Sequence, residues 1–237
     1  MNMPLLQTEK IKRVYTKGEV ETVALNGVSL SIERGEFVSI VGRSGAGKST
    51  LLYQLSLLDL PSTGEVFLDG KKTKELSSKE RVHIRLTMLG YVFQDYALLP
   101  ELTAEENVMV PLLMQGFPIK EAYKRARVVL SRLGLGKRTK NLPTQLSGGE
   151  QQRVSIARAI AHDPLVLFAD EPTANLDSQT SENLLCYFKE LHESGQTIIM
   201  VTHELDYARR ATRIIELSDG VIVFDGSPEN HRLFHIK

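Results

Sequence analysis

Short apolar runs alternate along the chain with longer stretches in which apolar residues recur every three or four positions. Strands are predicted by the runs "VALNGVSLSI", "EVFLDG", "LVLFAD" and "TIIMVT". Helical periodicity predicts helices over residues 47–58, 147–162 and 178–194. Alternating strands and helices are typical of an α/β fold with a largely parallel sheet, and we expect this class of fold.

The middle of the chain has a different pattern. Residues 77–133 are mostly helical in periodicity, and Thr103 with Glu106 forms a capping box ahead of "NVMVPLLM". Near the end, "IIELSDGVIVFDG" predicts a hairpin that turns at Asp219 and Gly220. We therefore expect a core built from two segments of the chain, with a helical insert between them.

Composition restricts the possible classes of function but does not identify one. The 237 residues suffice for one large domain or two small ones, and 29 basic against 29 acidic residues leave no overall field that would attract nucleic acid. Cys186 is the single cysteine and cannot form an internal disulfide. The first 15 residues lack the apolar run of a secretory signal, so we expect a cytoplasmic chain. Because no apolar run approaches the ~18 residues of a membrane span, any spanning part should belong to another chain.

Candidate chemistry begins at residues 42–50, "GRSGAGKST", between the predicted strand "EFVSIV" and a predicted helix. This is the phosphate-binding pattern G-x-x-x-x-G-K-[ST] in its strand-loop-helix context. Glycines let backbone N–H groups surround phosphate oxygens at the positive end of the helix dipole. Lys48 would reach the β- and γ-phosphates, and the Ser49 hydroxyl would ligate Mg²⁺. The predicted nucleotide contacts here are Gly42, Arg43, Ser44, Gly45, Ala46, Gly47, Lys48, Ser49 and Thr50.

A pair of acidic residues ends the apolar strand "LVLFAD". A carboxylate at the carboxyl edge of such a sheet commonly holds the Mg²⁺ of a bound nucleotide, and we assign this role to Asp170. Glu171 follows directly and points elsewhere, so it is the candidate for polarising the attacking water. Two solvated acids at the end of a strand are the alternative, but the phosphate-binding loop in the same chain favours the catalytic interpretation.

A second predicted helix begins within "LSGGEQQR", residues 146–153, and its first turn has an unusual composition. Ser147 and Glu150 have the spacing of a capping box, so this stretch could simply begin a helix. Each glycine in the first turn, however, weakens a helix by about 0.5–1 kcal/mol relative to Ala, and a cap alone would not need two. Bare backbone beside a serine hydroxyl at a helix N-terminus would bind an anion. Ser147, Gly148 and Gly149 are therefore predicted to contact phosphate.

Together these motifs resemble the ATP-binding subunit of an ABC transporter, and the resemblance covers nearly the whole chain. Residues 146–150 resemble the ABC signature, which other P-loop ATPases lack. The resemblance implies two copies that sandwich two ATP molecules head to tail, each signature touching the γ-phosphate on the partner's P-loop. It implies a single nucleotide-binding domain over 1–237, with a P-loop core and antiparallel β subdomain in 1–93 and 164–237 and a mainly helical signature subdomain in 94–163.

Four further elements match this family in the family's order. Tyr15 matches the aromatic residue that stacks on adenine, and Gln94 matches the glutamine that senses Mg²⁺ and water and couples the site to the membrane subunit. Residues 174–177, "ANLD", resemble the loop that crosses the dimer interface, although Asp177 is also a good N-cap. His203 matches the histidine that contacts the γ-phosphate. Each alone could be an ordinary strand, loop or cap residue.

The resemblance thus implies a catalytic set and a metal set. The catalytic residues are Lys48, Gln94, Glu171 and His203. The Mg²⁺ ligands are Ser49, Gln94 and Asp170.

Similarity to one group, the lipoprotein-releasing and macrolide-exporting ATPases (LolD-like and MacB-like), is carried by "LLDLPSTGEVFLDG", "YVFQDYALLPELTAEENVMVPLL" and "FADEPTANLD". That group works with a membrane subunit that has few spans and a large extracytoplasmic domain. The chain departs from the commoner residues at Arg43, Ala46, Glu150 and Ala174. Each departure is a side-chain change where the backbone makes the contacts, so ATPase activity is still expected.

The resemblance predicts an ATP- and Mg²⁺-dependent dimer that works with an integral membrane permease at the cytoplasmic face of the inner membrane, binds no nucleic acid and powers export or envelope remodelling. An importer ATPase shares every catalytic motif and stays open, as does a cell-division type of regulatory ATPase that moves no solute. Residues 96–114, "YALLPELTAEENVMVPLLM", are unusually apolar for a surface loop and helix. They form either part of the groove for the permease or the insert's own core, which periodicity cannot separate.

Overall fold

The computed structural model describes residues 3–18 and 20–232. The chain divides into two compact units, one combining Met1–Val82 with His192–Lys237 and the other formed by His83–Leu191. The strands are β1 (Leu6–Lys17), β2 (Val20–Ile32), β3 (Phe37–Val41), β4 (Thr63–Leu68), β5 (Lys71–Lys72), β6 (Leu89–Val92), β7 (Val166–Asp170), β8 (Thr197–Val201), β9 (Arg213–Ser218) and β10 (Val221–Gly226). The helices are α1 (Lys48–Leu55), α2 (Ser78–Met88), α3 (Ala104–Met114), α4 (Ile119–Arg132), α5 (Gly148–Ile160), α6 (Ser178–Glu193) and α7 (Leu205–Ala208). Within the described ranges, no helix has both the length and the apolar character needed to span a membrane.

The first unit combines antiparallel and parallel pairing. Antiparallel strands follow the order β2-β1-β4-β5. In the parallel part, β3 pairs with β8 and with β9, and β10 is antiparallel to β9. Every residue of β3 and β8 is buried, as expected for parallel strands covered on both faces. The loop that joins β3 to α1 therefore begins at the carboxyl end of a parallel strand, where α/β folds bind ligands.

The second unit is mainly helical around a short parallel pair of strands. Strands β6 and β7 pair in parallel, and every residue of β7 is buried. Helices α3, α4 and α5 pack together, and α5 also covers β6. This arrangement places the end of β7 and the start of α5 in one unit.

The structure confirms the α/β class, the antiparallel sheet and the Thr103–Glu106 capping box. The predicted hairpin is also confirmed: its turn residues Asp219 and Gly220 both have positive φ, at 49° and 77°, as the favoured hairpin turn requires.

Two predicted elements need correction. The helix expected over 47–58 ends earlier, at Leu55, because Leu57 has a left-handed φ of 58° that stops it. Strand β6 lies inside the stretch expected to be mostly helical, since four residues are too few to show a period of two. Gly90 in β6 permits close packing, because a Cβ there would lie 2.3 Å from the carbonyl oxygen of Ala159.

Candidate functional site

The loop between β3 and α1 folds around the ammonium group of Lys48. This side chain is only 9% exposed, and its Nζ donates to the carbonyl oxygens of Gly42 (2.9 Å) and Arg43 (3.0 Å). Lys48 is the first residue of α1, so its charge lies at the positive end of the helix dipole. Positive charge is thus concentrated at the mouth of the loop, which suits a bound anion.

Two glycines of this loop are required by its surroundings. Gly42 has φ 145°, and a Cβ there would lie 2.3 Å from the carbonyl oxygen of Leu217. Gly47 has φ 99°, and its Cβ would lie 2.4 Å from the carbonyl oxygen of Ala24. The β9–β10 turn supports the loop from behind, because the N–H of Gly220 donates to the carbonyl oxygen of Ala46 at 3.1 Å. Contacts within the first unit therefore fix the conformation of the loop.

The first unit also carries Tyr15 and His203. Tyr15 lies on β1 with 39% of its surface exposed. His203 follows β8, and its side chain is 56% exposed, with Nε2 3.3 Å from a carboxylate oxygen of Glu204. Both rings are thus accessible to a ligand.

In the second unit, the end of β7 turns sharply. Asp170 is 7% exposed, and one of its carboxylate oxygens accepts from the hydroxyl of Tyr91 at 3.4 Å. Glu171 has φ 46°, a left-handed conformation that is uncommon for a residue other than glycine. Such strain is found where neighbouring structure enforces it, often at functional sites. The left-handed residue therefore lies directly after the buried Asp170, at the end of β7.

The segment after Gln94 is held by residues that the sequence analysis did not single out. The Asn175 amide donates to the Gln94 carbonyl oxygen at 3.1 Å, so the structure joins the Gln94 segment to the "ANLD" loop. Arg158 on α5 donates to the carbonyl oxygens of Tyr96 (2.9 Å) and Ala97 (2.5 Å). Tyr96 and Ala97 both have positive φ, at 58° and 49°. Arg158 thus stabilises two consecutive residues with strained backbone that follow Gln94 closely in the chain.

The "LSGGEQQR" stretch begins α5 with a complete capping box. The Ser147 hydroxyl accepts from the Glu150 N–H at 3.3 Å, and the Glu150 carboxylate accepts from the Ser147 N–H at 2.9 Å. The hydrogen bond from the Ser147 N–H and the nearby charge of Arg138 hold the pKa of Glu150 below its usual value, despite partial burial. The predicted helix start is therefore confirmed.

Both glycines of that helix start have a packing role that the sequence analysis missed. A Cβ on Gly148 would lie 2.9 Å from the Tyr96 hydroxyl oxygen, and a Cβ on Gly149 would lie 2.4 Å from the Thr180 methyl group. The expectation that only anion binding explains two glycines is therefore incomplete, because close packing favours glycine at both positions as well. Glycine in a local sequence carries no signal of a neighbour that is distant along the chain.

The chain is similar to known proteins over most of its length. The family model described as ABC transporter matches residues 25–174. The chain is 51% identical over 219 residues to the lipoprotein-releasing system ATP-binding protein LolD of Aquifex aeolicus, covering 92% of this chain and 96% of that protein. It is 46% identical over 225 residues to the macrolide export ATP-binding/permease protein MacB of Hyphomonas neptunium, covering 95% of this chain and 35% of that protein.

A solved structure is also similar over nearly the whole chain. A dimeric post-hydrolysis state of the ATP-binding cassette MJ0796, bound to ADP and Pi, has a TM-score of 0.89 and 42% identity, covering 95% of this chain and 100% of that one. The chain therefore belongs to the ABC transporter family. It is an ATP-binding subunit related to LolD and MacB, and an ATPase that powers transport.

Proposed function

We propose that this chain hydrolyses ATP with Mg²⁺ to power export through a separate membrane subunit. The observation that carries the proposal is the loop around Lys48, whose buried ammonium group and required glycines form a helix start suited to binding an anion. Residues 42–50 would bind the phosphates, and Tyr15 would stack on adenine. Glu171 would orient the attacking water, and His203 would contact the γ-phosphate.

The proposed Mg²⁺ ligands are chemically suited to this ion. Ser49, Gln94 and Asp170 offer hydroxyl, amide and carboxylate oxygens, the ligand types that Mg²⁺ prefers. Protein sites for Mg²⁺ usually supply few ligands and leave the rest to phosphate oxygens and water. Bound Mg²⁺ would neutralise charge on the transferring phosphate.

We further propose a dimer in which Ser147, Gly148 and Gly149 contact the nucleotide of the partner copy. The MJ0796 cassette was solved as a dimer with ADP and Pi, which supports the same assembly here. The proposal includes one nucleotide-binding domain over 1–237, with 94–163 as its signature subdomain. Ser147 is exposed at the start of α5, where the helix dipole favours an anion.

The apolar stretch 96–114 divides into two kinds of residue. Val108 and Leu112 are fully buried on α3, as the core interpretation expects. Leu99 and Met114 are 44% and 66% exposed. Asn107 holds the Leu99 backbone through hydrogen bonds of 2.8 and 3.0 Å, so this backbone is held without help from the Leu99 side chain. We assign the exposed part of the stretch to contact with the membrane subunit.

A groove of the second unit extends this surface. Its volume is about 220 Å³, and its lining includes Leu86, Tyr91, Val110, Pro111 and Met114. MacB is named as a combined ATP-binding and permease protein, which supports a permease as the occupant. Such a contact would hold the chain at the cytoplasmic face of the inner membrane.

Export is favoured over import because the relatives include LolD and MacB. Co-expression with a candidate membrane subunit tests the proposal, and we expect the two to co-purify and the ATPase rate to rise. Leu99→Glu should abolish co-purification and keep the basal ATPase rate. Ile119→Glu is the matched control, since Ile119 is 64% exposed outside this surface. Co-purification with a solute-binding protein would favour an importer, and septal localisation would favour the cell-division type.

A further inference from the structure

Arg13 and Tyr15 lie on the same face of β1, two residues apart. The pairing of β1 with β2 is irregular here, but the extra residues belong to β2: Arg13 pairs with Leu25, and Val14 pairs with Val23. Strand β1 therefore keeps its alternation, which places side chains at i and i+2 together. The guanidinium carbon of Arg13 lies 4.4 Å from the centre of the Tyr15 ring. Arg13 thus covers one face of this ring.

The turn after α1 brings Asp59 to the same place. Leu57 takes a left-handed φ of 58°, and the N–H of Leu58 donates to the carbonyl oxygen of Tyr53 at 3.0 Å. The N–H of Leu57 donates to the carbonyl oxygen of Gln54 at 3.3 Å, which completes a Schellman ending of the helix. A leucine in this conformation is unfavourable, so the surrounding contacts must hold the turn.

The Asp59 carboxylate joins β1 to α1. Its Oδ2 accepts hydrogen bonds from Arg13 Nε (2.7 Å) and the Tyr15 hydroxyl (3.1 Å). The same oxygen accepts from Nε2 of Gln54 (3.1 Å), a fully buried residue of α1. Its Oδ1 accepts from Arg13 Nη2 (3.0 Å) and from the N–H of Leu60 (2.8 Å). A two-pronged pair of this kind fixes both side chains in direction as well as distance.

We propose that Asp59 is a positioning residue that holds the Tyr15 ring, through its hydroxyl and through Arg13, in the orientation that stacks on the base of the nucleotide. The inference rests on the proposed function, in which Tyr15 is the platform for adenine. With one ring face covered by Arg13, a base stacks on the other. Because the ring is held in this orientation before the nucleotide binds, less conformational entropy is lost on binding. Asp59 therefore acts on base binding and leaves phosphate binding at Lys48 to the loop.

The test compares ATP with tripolyphosphate, which carries the phosphates without the base, by calorimetric titration in Mg²⁺. Stacking worth about 1–3 kcal/mol predicts that Tyr15→Ala weakens ATP binding by about 5- to 150-fold. Asp59→Asn should weaken ATP binding by about 5-fold or more and change tripolyphosphate binding by less than about 2-fold. In the Tyr15→Ala background, Asp59→Asn should have no further effect on ATP, because both act through one ring.

The controls separate the possible failures. Asp69→Asn is the matched control: Asp69 also pairs with an arginine of this unit, at 2.8 Å, but is half exposed and away from Tyr15, so neither ligand should respond. Equal weakening of both ligands by Asp59→Asn would mean that Asp59 acts through α1 and the P-loop, and would overturn the inference. No effect of Asp59→Asn on ATP would overturn it as well. If Tyr15→Ala binds ATP as the wild type does, the platform assignment in the proposed function fails instead.

Discussion

The Tyr96 hydroxyl oxygen and Gly148 are packed so closely that a Cβ on Gly148 would lie 2.9 Å from it. This contact joins the segment after Gln94 to the first turn of α5, where the signature sequence begins. The Tyr96 hydroxyl also reaches the carbonyl oxygen of Asn175 at 3.5 Å, and burial and then the charge of Asp95 raise its pKa. The segment after Gln94 therefore contacts both the first turn of α5 and the "ANLD" loop through one side chain, that of Tyr96.

Gly148→Ala should destabilise the protein through this contact. Overpacking typically costs about 1–3 kcal/mol, and the variant should lower the midpoint of thermal unfolding by several degrees. Tyr96→Phe should restore most of the loss, because the ring carbon that carries the hydroxyl is 3.9 Å from the new Cβ position, an ordinary contact. Thermal unfolding of the two single variants and the double variant measures this. Additive losses in the double variant would show that the hydroxyl is not the obstacle.

Gly149 makes an analogous but separate contact. The obstacle to a Cβ there is the Thr180 methyl group, at 2.4 Å, while the Thr180 hydroxyl donates to the Asp177 carboxylate at 2.6 Å. Thr180→Ser removes the methyl group and keeps the hydroxyl, so it should rescue the stability of Gly149→Ala. Tyr96→Phe should not rescue Gly149→Ala, and Thr180→Ser should not rescue Gly148→Ala. Crossed rescue in the same unfolding assay would contradict both assignments.

A local interaction could be predicted from the sequence where all of its partners lie in one short segment. The hydrogen bonds of the Lys48 ammonium group and the capping boxes at Thr103 and Ser147 are of this kind, since their partners lie within six residues. The contact from Asn175 to Gln94 spans 81 positions, and the contact from Arg13 to Asp59 spans 46. No period or motif relates such pairs. The sequence therefore located the candidate residues but not what holds them.

One single variant should lose ATP binding, and another should keep ATP binding but lose rapid hydrolysis. Lys48→Ala should remove most ATP affinity, because it deletes the charge at the mouth of the loop. Glu171→Gln should keep ATP affinity and slow hydrolysis by about 100-fold or more, the usual scale for losing a positioned base. Equilibrium binding and single-turnover hydrolysis distinguish the two. A Glu171→Gln variant that hydrolyses ATP at the wild-type rate would refute the role given to Glu171.

Glu150 should contribute to a pH-dependent part of stability. Its pKa is lowered in the folded protein, so the carboxylate stabilises the fold above its unfolded pKa, and this contribution is lost as pH falls through the folded value. Glu150→Gln keeps a capping-box residue at this position but removes the titration. The variant should thus be less stable than the wild type at neutral pH and equal to it in acid. Urea unfolding across this pH range measures the difference, and a constant difference would contradict the prediction.

Shared sites in the proposed dimer can be tested with two inactive chains. One carries Lys48→Ala. The other needs a signature change that does not disturb packing, and Gly149→Asp fails this requirement because of Thr180. Ser147→Asp is the better choice, because Asp is also a favoured N-cap but places a carboxylate where the γ-phosphate of the partner's ATP would lie. Ser147→Asn is its control, since it can cap α5 without adding charge.

If sites are shared, each mixed dimer has one site with both defects and one with neither. Free exchange makes about half of the dimers mixed, so the mixture should recover up to about a quarter of wild-type ATPase activity. If each chain completes its own site, both sites stay broken and no activity returns. If hydrolysis requires two intact sites, a mixed dimer with one intact site would show no activity. The mixture is therefore also made with Glu171→Gln in both chains, and the ATP retained in dimers is measured. Absence of both signals, with subunit exchange confirmed by labelled chains, would exclude a role for Ser147 at its partner's nucleotide.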